Sequence, residues 1–367
     1  MRAGYLVSDA THSRSNQGIF LMRMNPLGCT GISVSEICLG TMTFGEQNTE
    51  AQAFQQLDMA FGRGVNFIDT AEMYSFPART ETQGRTEEII GNWMWARGNR
   101  DRVVLATKIT GPGPRFEHIR GGNLKLGREQ ITAAIDLSLK RLKTHYIDLY
   151  QTHWPERPAN YFGRLDYEHA EGAQWTPIAE TLAAMDDEIK AGRIREFGVS
   201  NETPWGLMEH MRISETNGLP RAASIQNPYS LLCRTFEIGL SEIAIRENCG
   251  LLAYSPLGFG ALTGKYMDGN LPEASRYKLY PEYARYFQPR GVTATLKYVA
   301  LAREHGLDPA QMALAFANSR RFLTSSIIGA TTTEQLTANL ASVELTLTAE
   351  VIAAIERIHA EDPNPAP

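Results

Sequence analysis

Short apolar runs recur along the chain between longer segments of helical period. The runs are EICLG at 36–40, VNFID at 65–69, RVVLATK at 102–108 and YIDLYQ at 146–151. They continue with RIREFGV at 193–199, AASIQ at 222–226, CGLLAY at 249–254 and SSIIG at 325–329. Between them lie amphipathic stretches such as REQITAAIDLSLKRLK, in which Ile131, Ile135, Leu139 and Leu142 share one face at helical spacing. Gly64 and Gly192 stand just before the next run, where a helix commonly ends in the left-handed conformation. Strand then helix, eight times, predicts a (β/α)8 barrel in one α/β domain. The rival is a doubly wound open sheet, which needs a phosphate loop opening its first helix. The first strand-to-helix turn, GTMTFGEQNTE, is not GxGxxG, and the GFG at 258–260 opens no clear helix.

Composition narrows the function classes. The chain has 367 residues, 43% hydrophobic, with a formal net charge of -5, so nothing draws it electrostatically to nucleic acid or an anionic membrane. No apolar run approaches the length of a membrane span. Cys29, Cys38, Cys233 and Cys249 form no CxxC pair, which suggests no metal site, no disulfide frame and reduced thiols in a cytoplasmic setting. Residues 1–21 are polar and mixed and lack a signal-peptide pattern; they read as a disordered leader or remnant, with the fold running from 22 to 367. Long segments follow the third, fourth and seventh runs, at 109–128, 152–175 and 255–291, on the end where barrel active sites form.

Polar residues end several of these runs. Asp69 closes the second, Lys108 closes the third, and His153 follows the fourth in LYQTHWP. Each alone has a bland reading as a turn former, a snorkelling cation or a hydrogen-bonded structural residue. On consecutive strands about 4.8 Å apart, their side chains can meet. A carboxylate at the edge of a core needs a cation, and Lys108 is the candidate. Tyr74, five residues past Asp69, carries a phenol that ionises near pH 10, and a fixed ammonium beside it is expected to lower that value. His153 is then placed to orient or polarise a carbonyl oxygen.

Together, Asp69, Tyr74, Lys108 and His153 resemble the catalytic tetrad of the aldo-keto reductases, nicotinamide-dependent carbonyl reductases on a (β/α)8 barrel. The resemblance runs along the whole chain from Met22, through GTMTFG at 40–45, FIDTAEMY at 67–74, GVSNETPWG at 198–206, SIQNPYSLL at 224–232, LLAYSPLGFGALTGKY at 251–266 and IIGATTTEQLTANL at 327–340. It is most similar to the bacterial Tas-like branch, which shares AEMY, ETQG, the HWP turn and IQNPYSLL. The resemblance implies that Tyr74 protonates a carbonyl oxygen, that Lys108 and Asp69 set its acidity, and that His153 places the substrate. It implies that Ser200, Asn201 and Gln226 bind the nicotinamide carboxamide and that Tyr254 stacks on the ring. Ser255, Leu257, Gly258, Gly260, Thr263 and Lys265 would cross the pyrophosphate. Gly329, Thr331, Gln335 and Asn339 would meet the adenosine phosphate, at the start of the last barrel helix where phosphate is favoured. Many members carry an arginine where Gln335 stands, and Ala338 replaces an often acidic partner. NADP(H) is therefore favoured and NAD(H) left open. Met42, Phe44 and Trp154 are assigned to the pocket of a small carbonyl substrate, whose identity the sequence does not name. Monomer or homo-oligomer is undetermined. The rival functions are a nicotinamide-binding, redox-sensing regulatory subunit of a channel or transporter, and a Schiff-base aldolase using Lys108. An ammonium held charged by Asp69 argues against the second.

Overall fold

The computed structural model describes residues 22–367. The expected leader, 1–21, lies outside the described residues. A short antiparallel hairpin comes first, β1 (Met24–Pro26) with β2 (Ser33–Ser35). Eight parallel strands follow: β3 (Ile37–Gly40), β4 (Phe67–Asp69), β5 (Val104–Ile109), β6 (Ile147–Thr152), β7 (Ile194–Ser200), β8 (Ser224–Pro228), β9 (Gly250–Tyr254) and β10 (Leu323–Ile328). They close in chain order, with β10 pairing β3, so the barrel has no edge. The eight-run reading of the sequence therefore holds strand for strand.

Strand period explains why a barrel built from these runs acquires a polar mouth. Successive side chains alternate between the two faces, so residues two apart share one. Phe67, Ala106, Leu149 and Leu252 fill the interior together with Leu27, Val34, Cys38, Ala223 and Ile327. Two residues further along the same inward faces come Asp69, Lys108, Gln151 and Tyr254. Their neighbours along the strands, Ile68, Leu105, Tyr150 and Leu251, point outward into the main core beneath the helices. The same alternation thus plugs the bottom with hydrocarbon and delivers polar groups to the top. Register aligns them: Asp69 pairs with Ala106, Lys108 with Gln151 and Ser200 with Gln226.

The hairpin closes the bottom of the barrel. Leu27 and Val34 join the interior cluster, and Asn25 donates to the Thr324 carbonyl at 2.8 Å. Strands of three residues carry too little period to stand out in a sequence, and this pair was not anticipated there. On the helical side, the helix Glu50–Gly62 is closed at its start by a reciprocal capping box between Thr49 and Gln52. Gly64 and Gly192 both take left-handed φ values, 86° and 72°, as their position before a strand required. Between β9 and β10 the chain forms two long helices, Pro289–Glu304 and Pro309–Asn318, besides the four-residue helix Arg276–Leu279.

Candidate active site

At the top of the barrel lies a cavity of about 1130 Å³, lined by parts of all three long segments and by the strand ends. Ligand pockets usually measure roughly 300–1,000 Å³. This one has room for a dinucleotide and a second molecule.

The carboxylate of Asp69 is the hub of its floor. Its Oδ2 accepts from Lys108 Nζ at 2.7 Å, and its Oδ1 accepts from Gln226 Nε2 at 2.9 Å. Lys108 is fully buried and donates a second bond to the Thr70 carbonyl at 2.7 Å. An ammonium has three protons, which leaves one toward Tyr74, whose ring centroid lies 5.2 Å from Nζ. Burial works against the Lys108 charge, yet the Asp69 carboxylate and the Tyr74 oxygen outweigh it and raise the pKa above the ordinary lysine value. The lysine stays an ammonium. That argues against an imine-forming role, because a nucleophilic amine must first lose its proton.

The phenol departs from the expectation. Burial pushes Tyr74 above its ordinary pKa, and the pull of Lys108 in the opposite direction does not overcome it. The pull of Lys108 has the expected direction, but the net shift is upward, against the expected lowering. The cation is visible in the sequence, whereas the water removed by burial is not. His153 packs edge-on to Tyr74 with centroids 5.8 Å apart. Burial, and then the charge on Lys108, hold its imidazole well below the ordinary histidine value, so it is neutral at pH 7. Its buried Nδ1 has no hydrogen-bond partner among the described residues.

Around this floor the remaining residues divide by role. Asn201 is committed to the protein: its Nδ2 donates to the His153 carbonyl at 2.9 Å, and its Oδ1 accepts from the Tyr254 hydroxyl at 2.7 Å. It thereby fixes both the histidine backbone and the Tyr254 ring. Ser200 donates to the Gln226 carbonyl at 2.7 Å. Ser255, Leu257, Gly260, Thr263, Lys265, Gly329, Thr331, Gln335 and Asn339 all line the cavity. Gly258 does not. Its φ is +54°, and a Cβ there would lie 3.2 Å from Leu232 and 3.3 Å from Tyr286, so it faces these packed side chains and turns the loop. A Cβ at Gly260 would sit 3.0 Å from the Lys265 side chain, so the missing methyl lets that lysine fold over the loop. Gln335 Oε1 accepts from the Thr331 amide at 3.0 Å and from its hydroxyl at 3.2 Å, which leaves the Gln335 NH2 group outward.

Met42 and Trp154 line the cavity as expected, but Phe44 does not. It is fully buried in the core beneath the first turn, where its carbonyl accepts from the Ser75 and Thr86 hydroxyls. Its neighbour Met42 takes the cavity side. Two functional residues escaped the sequence reading. Gln151 joins the floor through Gln226, at 3.3 Å, and its place two residues past Leu149 on an inward face was a usable signal. Arg276 lines the cavity from a four-residue helix in the last long segment, and nothing in the local sequence marks it. It packs over the Phe259 ring at 4.5 Å and makes no ion pair among the described residues. Burial lowers the pKa of both Arg276 and Lys265, and the arginine's charge lowers the lysine further. Lys265 likewise makes no ion pair among the described residues, and two such cations facing one cavity favour an anion between them.

The geometry agrees with comparisons to known proteins. The model of the aldo/keto reductase family matches residues 36–360. The chain is 46% identical over 346 residues to protein tas of Escherichia coli, covering 94% of this chain and all of that protein. It is 32% identical over 347 residues to a rice protein named as a probable voltage-gated potassium channel subunit beta, covering 92% of this chain and 96% of the other. It is 30% identical over 351 residues to norsolorinic acid reductase stcV of Emericella nidulans, covering 91% and 80%. A closed eight-stranded barrel, a family match over nearly its full length and a 46% identical relative place this chain in the aldo/keto reductase family of oxidoreductases.

Proposed function

We propose that this protein reduces an aldehyde or ketone to the alcohol, reversibly, using a nicotinamide cofactor with NADP(H) preferred over NAD(H). The observation that carries the reading is the convergence of phenol, buried ammonium, carboxylate and neutral imidazole at one cavity floor. The residues present fit the cofactor. Lys265 and Arg276 are free cations for its phosphates, the Thr331–Gln335 turn opens a capped helix end, and Tyr254 presents a ring held by Asn201. When bound, the reduced nicotinamide supplies the hydride that the carbonyl carbon accepts.

The chain's own residues handle the proton. Tyr74 is a protonated phenol at neutral pH, which suits a donor in the reductive direction. As its proton passes to the carbonyl oxygen, the charge left on the phenol oxygen forms beside Lys108, and that attraction grows only as the transition state is reached. Asp69 keeps Lys108 charged and in place. Neutral His153 has a nitrogen to offer the substrate without competing with Lys108 for positive charge. The named rice relative favours one second reading, an NADPH-binding regulatory subunit with slow turnover. A stoichiometric membrane partner recovered with the chain, together with negligible turnover, would select it.

The test is cofactor binding by nicotinamide fluorescence, then NADPH oxidation with a panel of aldehydes, in wild type and Tyr74→Phe. The Phe variant should keep its NADPH Kd within a few-fold and lose about 10²–10⁴ in kcat, the usual share of general acid catalysis. Retained kcat in Tyr74→Phe overturns the assignment.

A further inference from the structure

Resting on the carbonyl-reductase reading above, we propose that the substrate is an aromatic aldehyde or ketone bearing a carboxylate, and that Arg115 binds that carboxylate. The half of the cavity beyond Tyr74 is walled by rings. His153 and Trp154 lie 4.9 Å apart, Trp154 and Phe116 5.2 Å, and Trp154 and Phe162 5.6 Å. Phe76 and Tyr283, 4.6 Å apart, also line the cavity. From Tyr74 to Phe116 the wall therefore runs through two intervening rings. A flat ring has edge and face partners along its whole length, which a short aliphatic aldehyde would leave unfilled.

Arg115 stands at the end of this wall, on the turn Pro114–Phe116. The loop that carries it is anchored in the catalytic neighbourhood. Ile119 and Leu124 pack with Ala71, Met73 and Trp154. Arg120, from the same loop, donates to the buried Glu72 at 2.8 Å, two residues before Tyr74. Arg115 Nη1 reaches the Tyr283 hydroxyl at 3.4 Å, so two of the long segments meet over the cavity at this guanidinium. A guanidinium has five N–H donors, and this contact engages one. Arg115 makes no ion pair among the described residues. Glu282, beside Tyr283, also lines the cavity without pairing to it, and is the opposing charge at this rim. An unclaimed planar fork at the far end of a ring-lined slot matches a carboxylate bidentately. A substrate with its carbonyl at Tyr74, its ring against Trp154 and Phe116, and its carboxylate at Arg115 meets all three features.

The test is steady-state reduction of para-formylbenzoate and its biphenyl homologue, each beside its methyl ester, with NADPH. In wild type the acid should exceed its ester in kcat/KM by about 10- to 100-fold for at least one length, mainly through KM. In Arg115→Met the ratio should fall toward one, and Arg115→Lys should keep part of it. Arg115 is exposed, so neither change threatens the fold. Esters reduced as well as acids at both lengths, or a ratio unchanged in Arg115→Met, overturns the proposal while leaving carbonyl reduction standing. If none of the four compounds is reduced while other aldehydes of the panel are, the proposal is overturned and carbonyl reduction stands; if NADPH binds and no aldehyde of the panel is reduced, carbonyl reduction fails and the proposal with it.

Discussion

Lys108→Met separates the electrostatic role of the lysine from its structural one. The ammonium is fully buried and lies 5.2 Å from the Tyr74 ring centroid. Unit charges about 5 Å apart at an effective dielectric of about 20 interact by roughly 3 kcal/mol, close to two orders of magnitude in phenolate population at a given pH. Alcohol oxidation requires Tyr74 to begin as phenolate, so its rate follows that population. The variant should lose about 10²-fold in kcat for oxidation at neutral pH, and the inflection of kcat against pH should move upward. A second consequence must be kept apart. Without Lys108, Asp69 is a buried carboxylate held, among the described residues, by Gln226 and a long contact to Gln151, at 2.9 and 3.5 Å. Breaking such a pair costs about 3–5 kcal/mol of stability. The double variant Asp69→Asn/Lys108→Met removes both charges, so it should recover most of the stability and none of the rate. The assay is kcat for oxidation across pH, alongside urea midpoints for the three proteins. Identical inflections in wild type and Lys108→Met would refute the tuning of Tyr74, as would recovered activity in the double variant.

Other outcomes follow from individual contacts. Gln335→Arg should sharpen the preference for NADPH over NADH, since arginine supplies the charged fork that a neutral amide lacks; Kd values for both cofactors check this, and an unchanged ratio shows that position 335 does not face the phosphate. Arg276→Met should weaken NADPH binding and flatten its salt dependence, read from Kd at two ionic strengths. His153 binds its proton well below the unfolded value of about 6.5, so between those values the unfolded chain holds more protons. Stability should then fall with decreasing pH by about 1.4 kcal/mol per unit from this group, and His153→Gln should remove that share of the slope in urea midpoints. Glu72→Leu leaves Arg120 buried without its carboxylate and should cost about 3–5 kcal/mol, most of which a paired Arg120→Leu should restore.

Much of this protein was readable from local pattern. Strand period and helical period are properties of neighbouring residues, so eight runs and their intervening helices could be read without coordinates. The same period put Asp69 and Lys108 at the inward ends of adjacent strands, and it could have added Gln151, which obeys it equally. Turn chemistry at Gly64 and Gly192 is likewise local. The hairpin at the barrel floor was illegible because three-residue strands have no measurable period and are held by distant partners such as Thr324.

Other features belong only to the closed fold. Gln226 reaches Asp69 across 157 residues of sequence, a meeting created by barrel closure. Phe44 and Met42 are both apolar and two apart, and only the path of the turn sends one to the core and the other to the cavity. Arg276 and Arg115 look like ordinary loop charges until the long segments fold over one opening. Charge states were least accessible of all. The direction of the Tyr74 shift is a balance between a cation that the sequence can name and desolvation that it cannot. Desolvation sums every atom that displaces water around the phenol, and those atoms come from all along the chain.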